Sequence, residues 1–102
     1  MRALVCKEYG PPSQLILDDL DDPKPSKGQI LIKVKAAGIN FPDVLSIEGK
    51  YQVKTEPPFI PGNEASGIIE AVGEGVERFK PGDQVITMSK GGAFAEKCVS
   101  DE

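Results

Sequence analysis

A chain of 102 residues supports one hydrophobic core and leaves no room for a second. With 39% hydrophobic and 27% charged residues, and no apolar run near the ~20 residues of a membrane-spanning helix, it reads as soluble and globular rather than membrane-embedded or disordered. Twelve Lys and Arg against sixteen Asp and Glu leave a net charge of −4, which offers a phosphate backbone no footing and argues against a nucleic-acid partner; the absence of His removes the imidazole base, the Ser-His-Asp triad and histidine metal ligands.

The first residues, Met1-Arg2-Ala3-Leu4-Val5-Cys6-Lys7-Glu8, hold an apolar stretch too short for a signal core, so no export signal is expected. Nine Pro and eleven Gly cut the chain into short pieces, and the pieces between them favour strand-forming residues in period-two patterns. A mainly β architecture with short helices is therefore expected. Ala3–Cys6 and Leu15–Asp18 are predicted strands flanking the turn Tyr9-Gly10-Pro11-Pro12, and Asp21–Gly28 is a solvated loop whose prolines deny it ladder hydrogen bonds.

Gln29–Ala37 is the clearest strand, with Ile30, Ile32, Val34 and Ala36 on one face and Lys33 and Lys35 on the other. Asn40 stands where it can cap a short helix over 41–47, with Pro42 tolerated in the first turn, Asp43 suited to the helix dipole and Gly49 as the stop. After a loop through Lys54-Thr55-Glu56-Pro57-Pro58, Glu64–Val72 and Gln84–Met88 are predicted strands, joined through Gly73–Lys80 and the turn Pro81-Gly82-Asp83. Gly91-Gly92 then leads into a last strand, Ala93–Val99. Cys6 and Cys98 lie at opposite ends without the close pairing of zinc or redox sites; a reducing, cytoplasmic setting with buried thiols is the simpler expectation and a disulfide between terminal strands the other.

Four stretches occur in order: Ala37-Gly38-Ile39-Asn40-Phe41-Pro42-Asp43, Pro58–Ile69 with its Pro61-Gly62-Asn63-Glu64-Ala65-Ser66-Gly67, Val72-Gly73-Glu74-Gly75-Val76, and Phe79-Lys80-Pro81-Gly82-Asp83-Gln84-Val85. Together they resemble the N-terminal half of medium-chain dehydrogenases/reductases, specifically the zinc-free quinone oxidoreductase branch. The resemblance runs over essentially the whole chain, from Met1-Arg2-Ala3 to Gly91–Glu96. It implies that residues 1–102 form a GroES-like, partly open β-barrel, the substrate-side wall of a cleft whose other wall, a nucleotide-binding Rossmann domain, is absent from this chain. Gly73-Glu74-Gly75 is no substitute for that domain: Val76-Glu77-Arg78 follows, without the third glycine of the dinucleotide fingerprint, and a turn between strands is expected there.

The resemblance further implies NADPH as cofactor of the full-length parent, none held by this chain alone, a small-molecule quinone or enone as substrate, and a homodimer as one form the parent could take. It also sets the chain apart from the zinc alcohol dehydrogenases of the family. Their catalytic metal takes a Cys and a His from this half, and Asn40 and Asn63 stand at those positions; an amide replaces thiolate or imidazole poorly toward zinc, and Glu64 alone between amides makes a weak site. No zinc is expected.

Candidate site residues follow from the same carry-over, each beside a plainer reading. Asn40 is an amide donor facing nicotinamide or the substrate carbonyl, or a helix cap. Asp43 supports the site from behind, or is an ordinary first-turn acid. Tyr51 matches a cleft tyrosine whose phenol donates to a substrate oxygen, or packs on the surface. These three form the expected catalytic set. Asn40, Asn63 and Glu64 are the expected contacts at the cofactor's reactive end; Asn63 and Glu64 could equally belong to the turn that starts a strand. Phe41 and Leu45 are core or pocket wall. A reading from a different class is a stand-alone GroES-like binding or co-chaperonin-like module without enzymatic activity.

Overall fold

The computed structural model describes all 102 residues and is built around its longest strand, β3 (Gln29–Gly38). β1 (Arg2–Val5) and β2 (Ile16–Asp19) form a small antiparallel pair, with a single 3-10 turn at Pro12–Gln14 between them. After β3 come α1 (Phe41–Glu48), β4 (Glu64–Val72), β5 (Gln84–Met88) and β6 (Lys97–Asp101), and the larger sheet runs β5-β4-β3-β6, all antiparallel. The architecture is the expected GroES-like, mainly β one. The sheet coils until its two outer strands face each other, where the hydroxyls of Thr87 and Ser100 share a hydrogen bond of 2.6 Å. No backbone ladder joins β5 to β6, so the barrel stays open.

The core lies inside this curl: Ile30, Ile32, Ile69 and Cys98 are buried together, with Val34, Val72, Val76, Phe79 and Val85 packed around them. Alternation along β3 predicts Ile30, Ile32 and Val34 correctly, but Ala36 is exposed and Leu31 is buried. Register shifts at Leu31/Ile32 and Val34/Ala36 explain the departure for Ala36, since an extra residue in one strand turns the side chains beyond it to the other face. Cys6 and Cys98 are free and buried, and burial pushes both thiols above their ordinary pKa, which suits packing rather than reactivity.

Several predicted boundaries move, three of them for reasons visible in the backbone hydrogen bonds. Leu15 closes the 3-10 turn, so β2 begins one residue later. Cys6 leaves β1 to bridge Phe59, with mutual backbone bonds of 2.8 and 3.1 Å. The segment Ala93–Glu96 is not part of the last strand, because its backbone bonds are divided: Ala93 and Phe94 donate to Gly62 and Pro61, Ala95 bridges Ala3, and Glu96 donates to Arg2. With partners in two separate segments no continuous ladder can form, and β6 starts at Lys97. Gly73-Glu74-Gly75 lies in the connection between antiparallel β4 and β5, as a turn between strands requires, and no helix follows it.

Gly67 marks the tightest approach to main-chain atoms within the strands. It pairs with Val34 beside the second register shift, and a Cβ built there would collide with the backbone carbonyl oxygen of Lys33. Gly67→Ala is expected to cost about 1–3 kcal/mol, because a main-chain atom cannot swing aside as a side chain can. Thermal unfolding should show a midpoint lowered by several degrees; an unchanged midpoint would mean that the strands separate freely.

A charge cluster ties the chain's beginning to the sheet. Lys97 donates to Asp22 at 2.8 Å and lies 2.9 Å from Glu70, while the Met1 ammonium lies 3.0 Å from Asp22. The Lys97 hydrogen bond, seconded by the amino terminus, holds the Asp22 carboxyl below its ordinary range. A lowered carboxyl pKa contributes stability that is complete above the unfolded value of about 3.9 and is lost as pH falls through the folded value. Lys97→Met should therefore lower the melting temperature at neutral pH and flatten its decline toward acid. Melting curves from neutral to acid pH in dilute salt check this, since screening shrinks the effect.

Candidate functional site

The sheet register brings Gly38, Glu64 and Met88 side by side at one end, as the last residue of β3, the first of β4 and the last of β5. Glu64 folds its side chain over Gly38, in space that a Cβ at that position would occupy. The chain leaving Gly38 is Ile39-Asn40-Phe41. Ile39 and Phe41 are 79% and 73% exposed and Met88 is 76% exposed, so three large apolar side chains stand in solvent at the end of the sheet where Asn40 is also exposed. Phe41 is thus not core.

Asn40 occupies the N-cap position of α1 with extended backbone, φ −125° and ψ 160°, and Gly49 ends the helix in the left-handed conformation expected of it. Asp43, in the first turn, accepts the Asn40 backbone N–H at 2.8 Å through Oδ2, and its own N–H donates to the Asn40 carbonyl at 3.0 Å. A first-turn acid belongs on the surface; Asp43 is 2% exposed, and its Oδ1 is buried without a partner.

Asn63 arrives from the other side. Gly62, with φ +104°, packs so closely on Phe94 that a Cβ would lie 2.6 Å from the ring, and Asn63 follows it with its carbonyl accepting the Ser89 N–H at 2.7 Å. Asp43 and Asn63 then line one small cavity of about 20 Å³, shared with Ser46, Thr55 and Lys90. The structure therefore gathers Asn40 with Asp43, Asp43 with Asn63, and Glu64 beside the strand end that leads into Asn40. Tyr51 is half-buried in the stretch after α1 and does not line that cavity. The phenol that is tied down belongs to Tyr9, which donates to the Thr55 carbonyl at 2.6 Å.

No local signal singles out Lys90, Ser46 or Thr55, which line the cavity with Asp43 only through tertiary folding. Met88 carried a weak signal as an apolar residue at the end of a strand. The largest depression, about 590 Å³ on the outer face of β4 and β5 beside Ile68 and Ile86, contains none of the candidate residues. No group of three His, Cys, Asp or Glu side chains is placed to hold a metal ion, and the donors nearest the strand ends are two amides and one carboxylate; they do not fit a catalytic zinc. No helix is long and apolar enough to cross a membrane.

Residues 26–102 match the family model of the alcohol dehydrogenase GroES-like domain. An alcohol dehydrogenase of Moraxella sp. is 45% identical over 85 residues, 83% of this chain and 25% of that protein. The quinone oxidoreductase of Lama guanicoe is 45% identical over 98 residues, 94% of this chain and 30% of its own length. Among solved structures, Escherichia coli quinone oxidoreductase complexed with NADPH superimposes with a TM-score of 0.91 at 31% identity, over 97% of this chain and 31% of that one. The chain thus spans between a quarter and a third of the length of these proteins.

Proposed function

The chain belongs to the alcohol dehydrogenase GroES-like domain family, and from that membership we propose that it is the substrate-side half of a reductase that delivers hydride from NADPH to a quinone or enone without zinc. The observation that carries this reading is the donor set at the strand ends: an exposed Asn40, with exposed Ile39, Phe41 and Met88 at the same end of the sheet, where a metal enzyme would need thiolate or imidazole. The relatives named alcohol dehydrogenase and those named quinone oxidoreductase share the fold, so fold alone does not choose between them.

The glycines at 73 and 75 open no helix, so nothing here cradles a dinucleotide's phosphates, and the nucleotide is held by a Rossmann domain outside these residues. Bound NADPH supplies the hydride. Hydride arriving at a quinone or enone leaves negative charge on the substrate oxygen, and a positioned donor at such an oxygen is worth about 3–4 kcal/mol. Asn40 is that donor. Asp43 fixes the backbone from which Asn40 projects, Asn63 and Glu64 stand toward the cofactor's reactive end, and Tyr51 is a second donor. The exposed apolar side chains of Ile39, Phe41 and Met88 pack on a flat substrate and exclude water. Quinones and enones are electrophilic enough to accept hydride with no more than this, whereas a simple alcohol, which gives up hydride and must lose its O–H proton as it does so, depends on a metal to acidify that oxygen. A cytoplasmic, homodimeric parent completes the proposal.

The test is a graft: residues 1–102 replacing the corresponding segment of Escherichia coli quinone oxidoreductase, whose remaining chain brings the cofactor domain. NADPH oxidation that depends on added quinone supports the reading. A folded graft that binds NADPH but reduces no quinone overturns it.

A further inference from the structure

The buried carboxylate of Asp43 uses one oxygen and leaves the other bare. Oδ2 accepts from the Asn40 backbone, while Oδ1 is buried with no partner in the chain. Leaving such an atom unsatisfied costs far more than an ordinary hydrogen bond returns, so its occupant has to be sought in the space beside it. Asp43 lines one cavity, of about 20 Å³, between α1, the loop at Pro61–Asn63 and Gly91. A cavity needs roughly 10–15 Å³ to admit one water, and a water needs two to four polar neighbours. Both conditions are met. The volume excludes anything larger than a single small molecule, and Ser46, Thr55 and Asn63, whose side chains each hold a donor and an acceptor, are among the residues that line it.

We propose that Asp43 Oδ1 binds one structural water, which also bonds to polar side chains across the cavity and so joins α1 to the loop that carries Asn63. The competing occupant is the Lys90 ammonium, the one cationic side chain at the cavity. No salt bridge joins it to Asp43, and Lys90 is exposed, so its charge is hydrated where it stands. Moving it inward would fill a space of one water with an ammonium and part of its stem, at the cost of its hydration and side-chain freedom. The water needs neither. This inference does not depend on the reductase reading, since its ligand and its test involve no cofactor.

The experiment uses the 102-residue chain as it is. A high-resolution crystal structure should show one isolated density peak within hydrogen-bond distance of Asp43 Oδ1. In solution, nuclear magnetic resonance should show cross-relaxation of a long-lived water with the α-protons of Gly62 and Gly91, which line the cavity. Lys90→Met should keep these contacts and leave the melting temperature unchanged, and Asp43→Leu should lose the contacts. If Asp43→Leu does not fold, the parent and Lys90→Met spectra decide the matter without it. A lysine nitrogen in the cavity, a dry cavity, or loss of both contacts and melting temperature in Lys90→Met would each overturn the proposal.

Discussion

Replacing Asn40 by Ala in the grafted enzyme is expected to lower kcat/KM for quinone by about 10- to 1000-fold, the range observed when a single donor to a developing oxyanion is removed. The structure sharpens this prediction by showing both halves of a capping box at the helix start, the Asn40 side chain toward the Asp43 backbone N–H and the Asp43 carboxylate toward the Asn40 backbone N–H. Asp43 accepts the backbone N–H of residue 40, a bond that survives the change to Ala, so part of the capping arrangement does not depend on the amide. If Asn40 acts only as a cap, the substitution should cost about 0.5–2 kcal/mol of stability and leave the kinetics intact. Asn40→Asp divides the cases further, because an ionised carboxylate caps a helix well but donates no hydrogen bond. A stable, slow Asp variant is expected. A stable Asp variant with parental kinetics would assign Asn40 to the helix and leave Tyr51 as the leading donor.

Purified alone, the 102-residue chain is expected to show no quinone turnover with NADPH above a blank without protein. Hydride transfer requires a nucleotide held within reach of the substrate, and the chain's one G-x-G sits between two antiparallel strands, where its backbone N–H groups have no helix N-terminus behind them. The effect is all or none: the isolated chain lacks the phosphate site, and no substitution within it restores one. Titration with NADPH followed by nucleotide fluorescence, run beside the turnover assay, checks both halves of the expectation. Saturable binding with turnover would show that these residues carry a complete active site.

How far the sequence reached is clearest at β3 and α1. Alternation located the long central strand, and Pro42, Gly49 and the polar residue at position 40 bounded the helix, because these are local signals that act within one turn or one pleat. Apart from Leu15, which a local 3-10 turn ties to Pro12, the misplaced segments depend on partners distant in sequence. Ala36 takes the position it does because β3 slips against β4, and Ala93–Glu96 leave the last strand because β1 and the loop at Pro61–Gly62 claim their backbone bonds. The site shows the same division. Family motifs drew attention to Asn40, Asp43, Asn63 and Glu64, and the fold gathers those four at one end of the sheet. The burial of Asp43 could not be read from an acidic residue in a first helical turn, nor could the exposure of Phe41 from an aromatic one. Both are set by what the neighbouring loops cover.

The most direct test of the account is the substrate preference of the graft after dialysis against a zinc chelator, measured as quinone reduction with NADPH against oxidation of a simple primary alcohol with NADP. The account predicts full quinone reduction, no measurable alcohol oxidation, and no change in either when zinc is added, because Asn40 and Asn63 offer amide donors where a metal would need ligands. Alcohol oxidation that disappears with the chelator and returns with zinc would contradict it.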